Sequence, residues 1–277
     1  MSVPTPNADG IANRAMMKRA RSHETCVLVE GIEDYRVYAK FLDLEFCRIE
    51  VCFGRDNVGA VLSILKSRSF DGVLAVRDAD FSALERRAGV SPHMVKTDWH
   101  DIETMMLWSS ALRQVVVEWT TSDRPPPDSR EVLHIVVGIA EWIGYLRWLS
   151  EIDSLGLFLR DIDIARFVDK KGVFSWANFI DYVQERSRKG ALDPDHLRRR
   201  CSELKDPSHD RRHVCSGHDM CRVLAHLFVH RWGGKATSGA DIEKALRIAY
   251  HESEFHSSDL WRAVCEWERD NPPFRVH

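Results

Sequence analysis

No Cys-x-x-Cys pair, no Gly-x-x-x-x-Gly-Lys-Ser/Thr motif, no internal repeat and no low-complexity tract occur in these 277 residues. Without a nucleotide-binding loop of that kind, any dependence on ATP must come from another chain. Cys201, His209, His213, Cys215, His218 and Cys221 lie close together, but structural zinc sites use tighter paired spacings, so zinc is not expected. The opening stretch, MSVPTPNADGIANRAMMKRA, lacks the apolar core of a secretory leader, and residues 1–22 read as a flexible lead-in turning into a short basic helix. Long apolar runs are also missing. The best candidate, Val132 to Leu149, is interrupted by His134, Glu141 and Arg147, which lipid would expose at high cost, so no membrane span is expected. The seven cysteines are odd in number, which fits reduced thiols and a cytoplasmic location. Charge of one sign is lacking too: the formal net charge of −3 gives no bulk attraction to nucleic acid. That argues against a protein that coats nucleic acid, but not against a nuclease, because bound cations neutralise a substrate locally.

What is present is 44% hydrophobic residues, ample for a core in one large domain or two small ones. Short apolar runs alternate with segments of helical periodicity. Strands are predicted over Cys26–Glu30, Arg48–Phe53, Gly72–Asp78 and His93–Thr97, with helices over Glu33–Phe46, Gly59–Arg68 and Asp101–Glu118. This rhythm predicts an α/β fold with a mainly parallel sheet flanked by helices. Three successive prolines in Ser122–Ser129 cannot continue a helix, which places a linker at 122–129 between an α/β domain at 23–121 and a mostly helical region at 130–277. Helices are expected there over Arg130–Ile152, Ser175–Arg188, Pro194–Leu204, His218–Trp232, Gly239–His251 and Ser258–Asp270, with Asp241 and Ser258 near helix starts as caps.

In parallel sheets, sites gather at the carboxyl ends of the strands. Glu30 and the pair Asp78/Asp80 fall at such ends. Residues at i and i+2 of an extended segment point the same way, so Asp78 and Asp80 would face one point. Mg²⁺ is commonly held by one or two carboxylates with waters and phosphate oxygens. Glu30 would add a ligand or serve as a general base toward water. An isolated Asp-x-Asp usually marks a solvated turn. The apolar flanks Val73–Val76 and Phe81 raise the metal reading, because carboxylates ending a buried strand cost desolvation unless a cation or donor pairs with them.

The run V-L-V-E-G-x-x-D (Val27–Asp34), followed by an apolar strand ending in D-x-D (Asp78, Asp80), resembles the Toprim domain. Together with T-D-W-H-D-I-E (Thr97–Glu103), S-G-H-D-M (Ser216–Met220) and D-I-E-K-A-L-R-I-A-Y-H (Asp241–His251), it resembles the DUF4435 family, a Toprim subgroup related to OLD-family nucleases. The resemblance implies a Toprim-like fold and Mg²⁺ (or Mn²⁺) as cofactor. It implies Glu30 as a catalytic or metal-contacting group, Asp78 and Asp80 as metal ligands, and Asp34 and Glu103 as second-metal candidates. For Glu103 a first-turn acid favouring the helix dipole is an equal alternative, and for Asp101 it is the preferred reading. The implied activity is phosphodiester hydrolysis of RNA, tRNA included, or DNA, as an effector of anti-phage defence like the nuclease of the PARIS system. A nucleic-acid substrate and an ABC-type ATPase are the implied partners, with a homo-oligomer also open. The different-class alternative is a non-catalytic Toprim-fold binding or regulatory subunit, whose carboxylates would be dispersed or paired with Arg55 or Arg77.

Lys170 and Lys171, beside Gly172, are candidate phosphate contacts, although such charge runs are more often solvated faces. His218 is a candidate nucleic-acid contact too, and Gly-His-Asp at a helix start is as readily a cap. Trp142, Tyr145, Trp148, Trp176 and Trp232 fall at helical spacing and read as core rather than as base-stacking groups.

Overall fold

The computed structural model describes residues 7–20, 22–85, 91–120, 127–187 and 192–277. The chain begins with α1 (Ala8–Arg19), β1 (Thr25–Val29), α2 (Ile32–Phe41), β2 (Cys47–Val51), α3 (Arg55–Ser67), β3 (Val73–Arg77) and β4 (Met94–Lys96). It continues with α4 (Ile102–Leu107), α5 (Ala111–Trp119), α6 (Ser129–Ile152), a 3-10 turn (Ile164–Arg166), α7 (Trp176–Ser187), α8 (Pro194–Leu204) and α9 (Arg211–Val214). It ends with α10 (Gly217–His230), α11 (Gly239–Ala249), α12 (Glu252–His256) and α13 (Asp259–Asp270). The fold class is α/β, with one all-parallel four-stranded sheet flanked by helices and a helical C-terminal part.

Two compact units interleave along the chain: one holds residues 1–79, 87–98 and 251–277, the other 80–86 and 99–250. Of the expected linker at 122–129, residues 122–126 lie outside the described residues. In the sheet unit the strand order is β2-β1-β3-β4. Strand β1 is central and every one of its residues is buried, which explains its continuous apolar run. Cys26, Leu28, Val73 and Ala75 pack with Ile11, Ala12 and Ala15 of α1 and Val58, Val61, Leu62 and Leu65 of α3. Strand alternation sends Val27, Val29, Leu74 and Val76 to the opposite face.

The lead-in is more than a tether. Arg14 and Lys18 of α1 both contact the buried Glu50 of β2, Arg14 at 3.1 Å, so the basic face of the helix neutralises a carboxylate in the sheet. Residues 251–277 also belong to this unit. Phe255 stacks on Phe41 at 4.4 Å, Asp98 accepts the first amides of α13 (Asp259, 3.0 Å; Leu260, 2.7 Å), and Asp43 N–H reaches the Val276 carbonyl at 2.9 Å.

In the helical unit, the segment expected as one helix over Asp101–Glu118 is two. The Ser109 hydroxyl donates to the Met106 carbonyl (2.7 Å) and accepts from Ala111 N–H (3.1 Å), so local side-chain bonds end α4 and start α5. Helix α6 corrects the expectation about apolar runs: by length and composition alone it is able to cross a membrane. Most of its apolar window is buried within the protein, and its charges have partners there, Glu141 with Lys205 and Arg211, Arg147 with Asp219. Ser258 caps α13 through Trp261 N–H (3.0 Å), while Asp241 sits at the third position of α11 in a capping box with Ser238.

Candidate functional site

In the sheet unit, Glu30 follows the last residue of β1, and Asp78 follows the last residue of the adjacent parallel strand β3. The register that pairs Leu28 with Ala75 carries forward to set Glu30 beside Arg77. Asp78 N–H points at the Glu30 carboxylate, with nitrogen and oxygen 3.3 Å apart. The Arg77 guanidinium lies 3.8 Å from the same oxygen, longer than a hydrogen bond, and the Glu30 side chain is 18% exposed. The turn after β3 is pinned to the end of β4 by Ala79 N–H donating to the Thr97 hydroxyl at 2.9 Å. The Glu30 carbonyl accepts Gly54 N–H at 2.9 Å, which fixes the loop between β2 and α3 at the same carboxyl edge. Phe53 in that loop has φ 60 and is half exposed.

Asp34 turns back to accept Gly31 N–H at 2.7 Å, an N-terminal cap of α2 that commits one of its oxygens. Gly31 itself has φ −137, and a Cβ there would meet its nearest atom only at 3.6 Å, so nothing among the described residues requires glycine.

The helical unit holds Asp80, Asp101, Glu103, Lys170, Lys171 and His218. Asp80 adopts a left-handed backbone (φ 46), and its N–H donates to the His100 carbonyl at 2.8 Å. Asp101 caps α4 and is almost wholly buried. Its carboxylate accepts Thr104 N–H (2.8 Å), the Thr104 hydroxyl (2.6 Å), the Ser216 hydroxyl (3.0 Å) and Gly217 N–H (2.8 Å), so it ties the start of α4 to the start of α10. Gly217 permits this approach, since a Cβ would lie 2.5 Å from Thr104 N. Burial works to raise the Asp101 pKa, but the nearby His100 and His218 rings and the two Thr104 donors outweigh it and hold it below the usual carboxylate range.

His218, on the first turn of α10, sits between Glu243 (3.0 Å) and Glu103 (3.7 Å), and Arg247 approaches Glu103 at 4.0 Å. Glu103 attracts the imidazolium most. Burial opposes it, and the Glu243 hydrogen bond adds to it, so the ring's pKa is raised well above the usual histidine value. Asp101, Glu103 and His218 present ligand atoms within 4.8 Å of one another. Asp101 is already saturated by donors and is a poor ligand. Glu103 and His218 approach as an ion pair while the ring hydrogen-bonds Glu243, and phosphate would meet two carboxylates beside the His218 ring. Lys170 and Lys171 are exposed near the far end of α10, since Asp169 contacts His226 (3.1 Å), about 12 Å along the helix from His218.

Of the expected residues, Glu30 meets the backbone N–H of Asp78 in the sheet unit, and Glu103 meets His218 in the helical unit. Thr97, Glu243 and Arg247 were not foreseen. The four-residue spacing of Glu243 and Arg247 on α11 was the available signal, whereas Thr97 acts through a long-range contact with none. Glu30 and Asp78 offer only hard oxygens, both partly open to solvent, which suits Mg²⁺ or Mn²⁺. Buried thiols do not compete: desolvation pushes Cys201 up to about 12. Compared with known proteins, the chain matches no family model and no curated protein.

Proposed function

We propose that the protein is a Mg²⁺-dependent nuclease, hydrolysing phosphodiester bonds of RNA, tRNA included, or of DNA. In this reading, within the sheet unit, Asp78 is a metal ligand, Glu30 is a ligand or the base that takes the proton of the attacking water, and Asp34 belongs to a second metal position. The observation that supports the reading is that the Glu30 carboxylate faces the Asp78 backbone N–H, on adjacent parallel strands at the carboxyl edge of the sheet. A divalent cation there would draw charge from the phosphoryl oxygens and favour attack by water. The protein supplies the rest. Asp78 N–H orients the Glu30 carboxylate, and the Thr97 hydroxyl fixes the turn that carries Asp78. By the Toprim-type resemblance, the role would be that of an anti-phage effector working with an ABC-type ATPase.

A second reading, a non-catalytic subunit of the same fold, is favoured by the proximity of Arg77 to Glu30, which offers the carboxylate a cation of its own. Incubating the pure protein with labelled RNA and DNA, with and without Mg²⁺ or Mn²⁺, decides between them. Metal-dependent cleavage that is lost in Glu30→Ala and Asp78→Ala, with the fold retained, supports the nuclease. Normal cleavage by both variants overturns the site.

A further inference from the structure

We infer that the helical unit carries a phosphate-binding surface for the backbone of a nucleic acid, built from the Asp169–Val173 turn and the last turn of α10. The inference deepens the nuclease reading and rests on it for the choice of partner.

Lys170 and Lys171 are held on a defined turn. Val168 and Phe174 bridge antiparallel beneath it, and one Asp169 oxygen accepts both Lys171 N–H and Val173 N–H at 2.8 Å. Gly172 completes the turn at φ +85, where a side chain would be strained and a Cβ would press within 3.0 Å of Leu227. The turn is tied to α10 twice. Arg231 Nη1 donates to the Lys171 carbonyl at 2.8 Å, and His226 Nε2 meets the Asp169 carbonyl at 3.1 Å. The His226 and His230 rings lie 4.6 Å apart. Three full cations and two imidazoles thus share one exposed face. Beside it runs a cleft of about 330 Å³, whose lining includes Arg222, His226, His230 and Ser238 together with Asp163, whose carboxylate accepts Ala165 N–H at 3.1 Å.

These cations differ from most others of the unit. Arg147, Arg166, Arg200, Lys205, Arg211 and Arg222 each have a carboxylate within 4.0 Å, whereas among the described residues Lys170, Lys171 and Arg231 have none. The Asp169 carboxylate is turned to backbone amides, and Asp161 is taken by Arg222 at 2.7 Å. A helix C-terminus favours cations, which accounts for His230 and Arg231 but not for two lysines on a separate turn. In a chain of net charge −3, attraction to a polyanion has to be local, and a turn on which Lys170, Lys171 and Arg231 outnumber Asp169 supplies it. The backbone phosphate, rather than the base, is the matching group, because the surface presents point charges and no paired donor–acceptor sets.

The test is the salt dependence of binding, read by fluorescence anisotropy with a short labelled single-stranded RNA and with DNA of the same sequence. Working in EDTA with the full chain makes the result independent of cleavage, so failure of the surface and failure of the metal site stay distinguishable. Lys170→Ala/Lys171→Ala/Arg231→Ala is expected to flatten the slope of log Kd against log salt by about 2 on both nucleic acids, about 0.7 for each lost phosphate contact. A control removing three exposed cations elsewhere, Arg113→Ala/Arg130→Ala/Lys244→Ala, is expected to keep the wild-type slope. An unchanged slope in the first variant, an equal loss in the control, or no binding by the wild type overturns the inference.

Discussion

Asp101 offers the sharpest separation of a structural carboxylate from a metal ligand. Replacing it with Ala removes the cap of α4, worth about 1 kcal/mol. It also strands the Ser216 hydroxyl and Gly217 N–H, which now donate to a buried charge (3.0 and 2.8 Å), at about 1.5 kcal/mol each. The Thr104 hydroxyl contributes little to the loss, since the Cys215 carbonyl is a ready alternative at 3.3 Å. Asp101→Ala is therefore expected to cost about 4 kcal/mol, and Asp101→Asn, which keeps one acceptor but turns an NH₂ toward Gly217 N–H, about 2 kcal/mol. Urea denaturation in EDTA reads both as a lower midpoint at unchanged m-value. Had the carboxylate been placed for a cation, its removal would relieve repulsion with Glu103 and leave the metal-free protein as stable or more so. That outcome would refute the account of Asp101 as the tie between α4 and α10.

Two further outcomes follow from local geometry. His218 has its pKa raised by Glu103, against burial and with help from Glu243, so its stabilisation is complete below about 6.5, the unperturbed value, and is lost as pH rises through the folded value. The stability gap between wild type and His218→Gln, measured in urea, should be widest in mild acid and shrink in alkali; a gap that widens with pH refutes the pairing. The side chain is 43% exposed, so solvent screens part of this interaction. Ser69 ends α3 in a left-handed conformation (φ 53), with its N–H on Lys66 O (3.0 Å) and Phe70 N–H on Leu65 O (3.0 Å), a turn that normally carries glycine. Ser69→Gly should add about 1 kcal/mol and raise Tm by about 2 °C, checked by calorimetry; a fall in Tm would contradict it.

Much of the sheet was legible because buried parallel strands announce themselves as short apolar runs: Val27–Val29 and Val73–Val76 are inside, with Glu30 and Asp78 just beyond their ends. Helices with a clear apolar stripe and a capping residue were legible too; α8 spans the predicted Pro194–Leu204 behind its Asp193 cap. What escaped was fixed by contacts distant in sequence. Glu50 recruits α1 through Arg14 and Lys18, and Asp98 caps α13 from 161 residues away, and neither leaves a periodic trace. The break at Ser109 was hidden for the opposite reason, since flanking helical periodicity masked two local hydroxyl bonds. At the site, residue types were readable and partners were not: nothing in the order of residues says that Asp101 faces Ser216, or that His218 faces Glu243.

The central claim is that Glu30 and Asp78 are held ready for a divalent cation. Calorimetric titration of the metal-free protein with Mn²⁺ asks this directly and does not depend on any activating trigger for cleavage. Saturable binding that is weakened at least tenfold in both Glu30→Gln and Asp78→Asn, about 1.4 kcal/mol or more, is the predicted result. Binding of equal affinity in wild type and both variants would contradict the account.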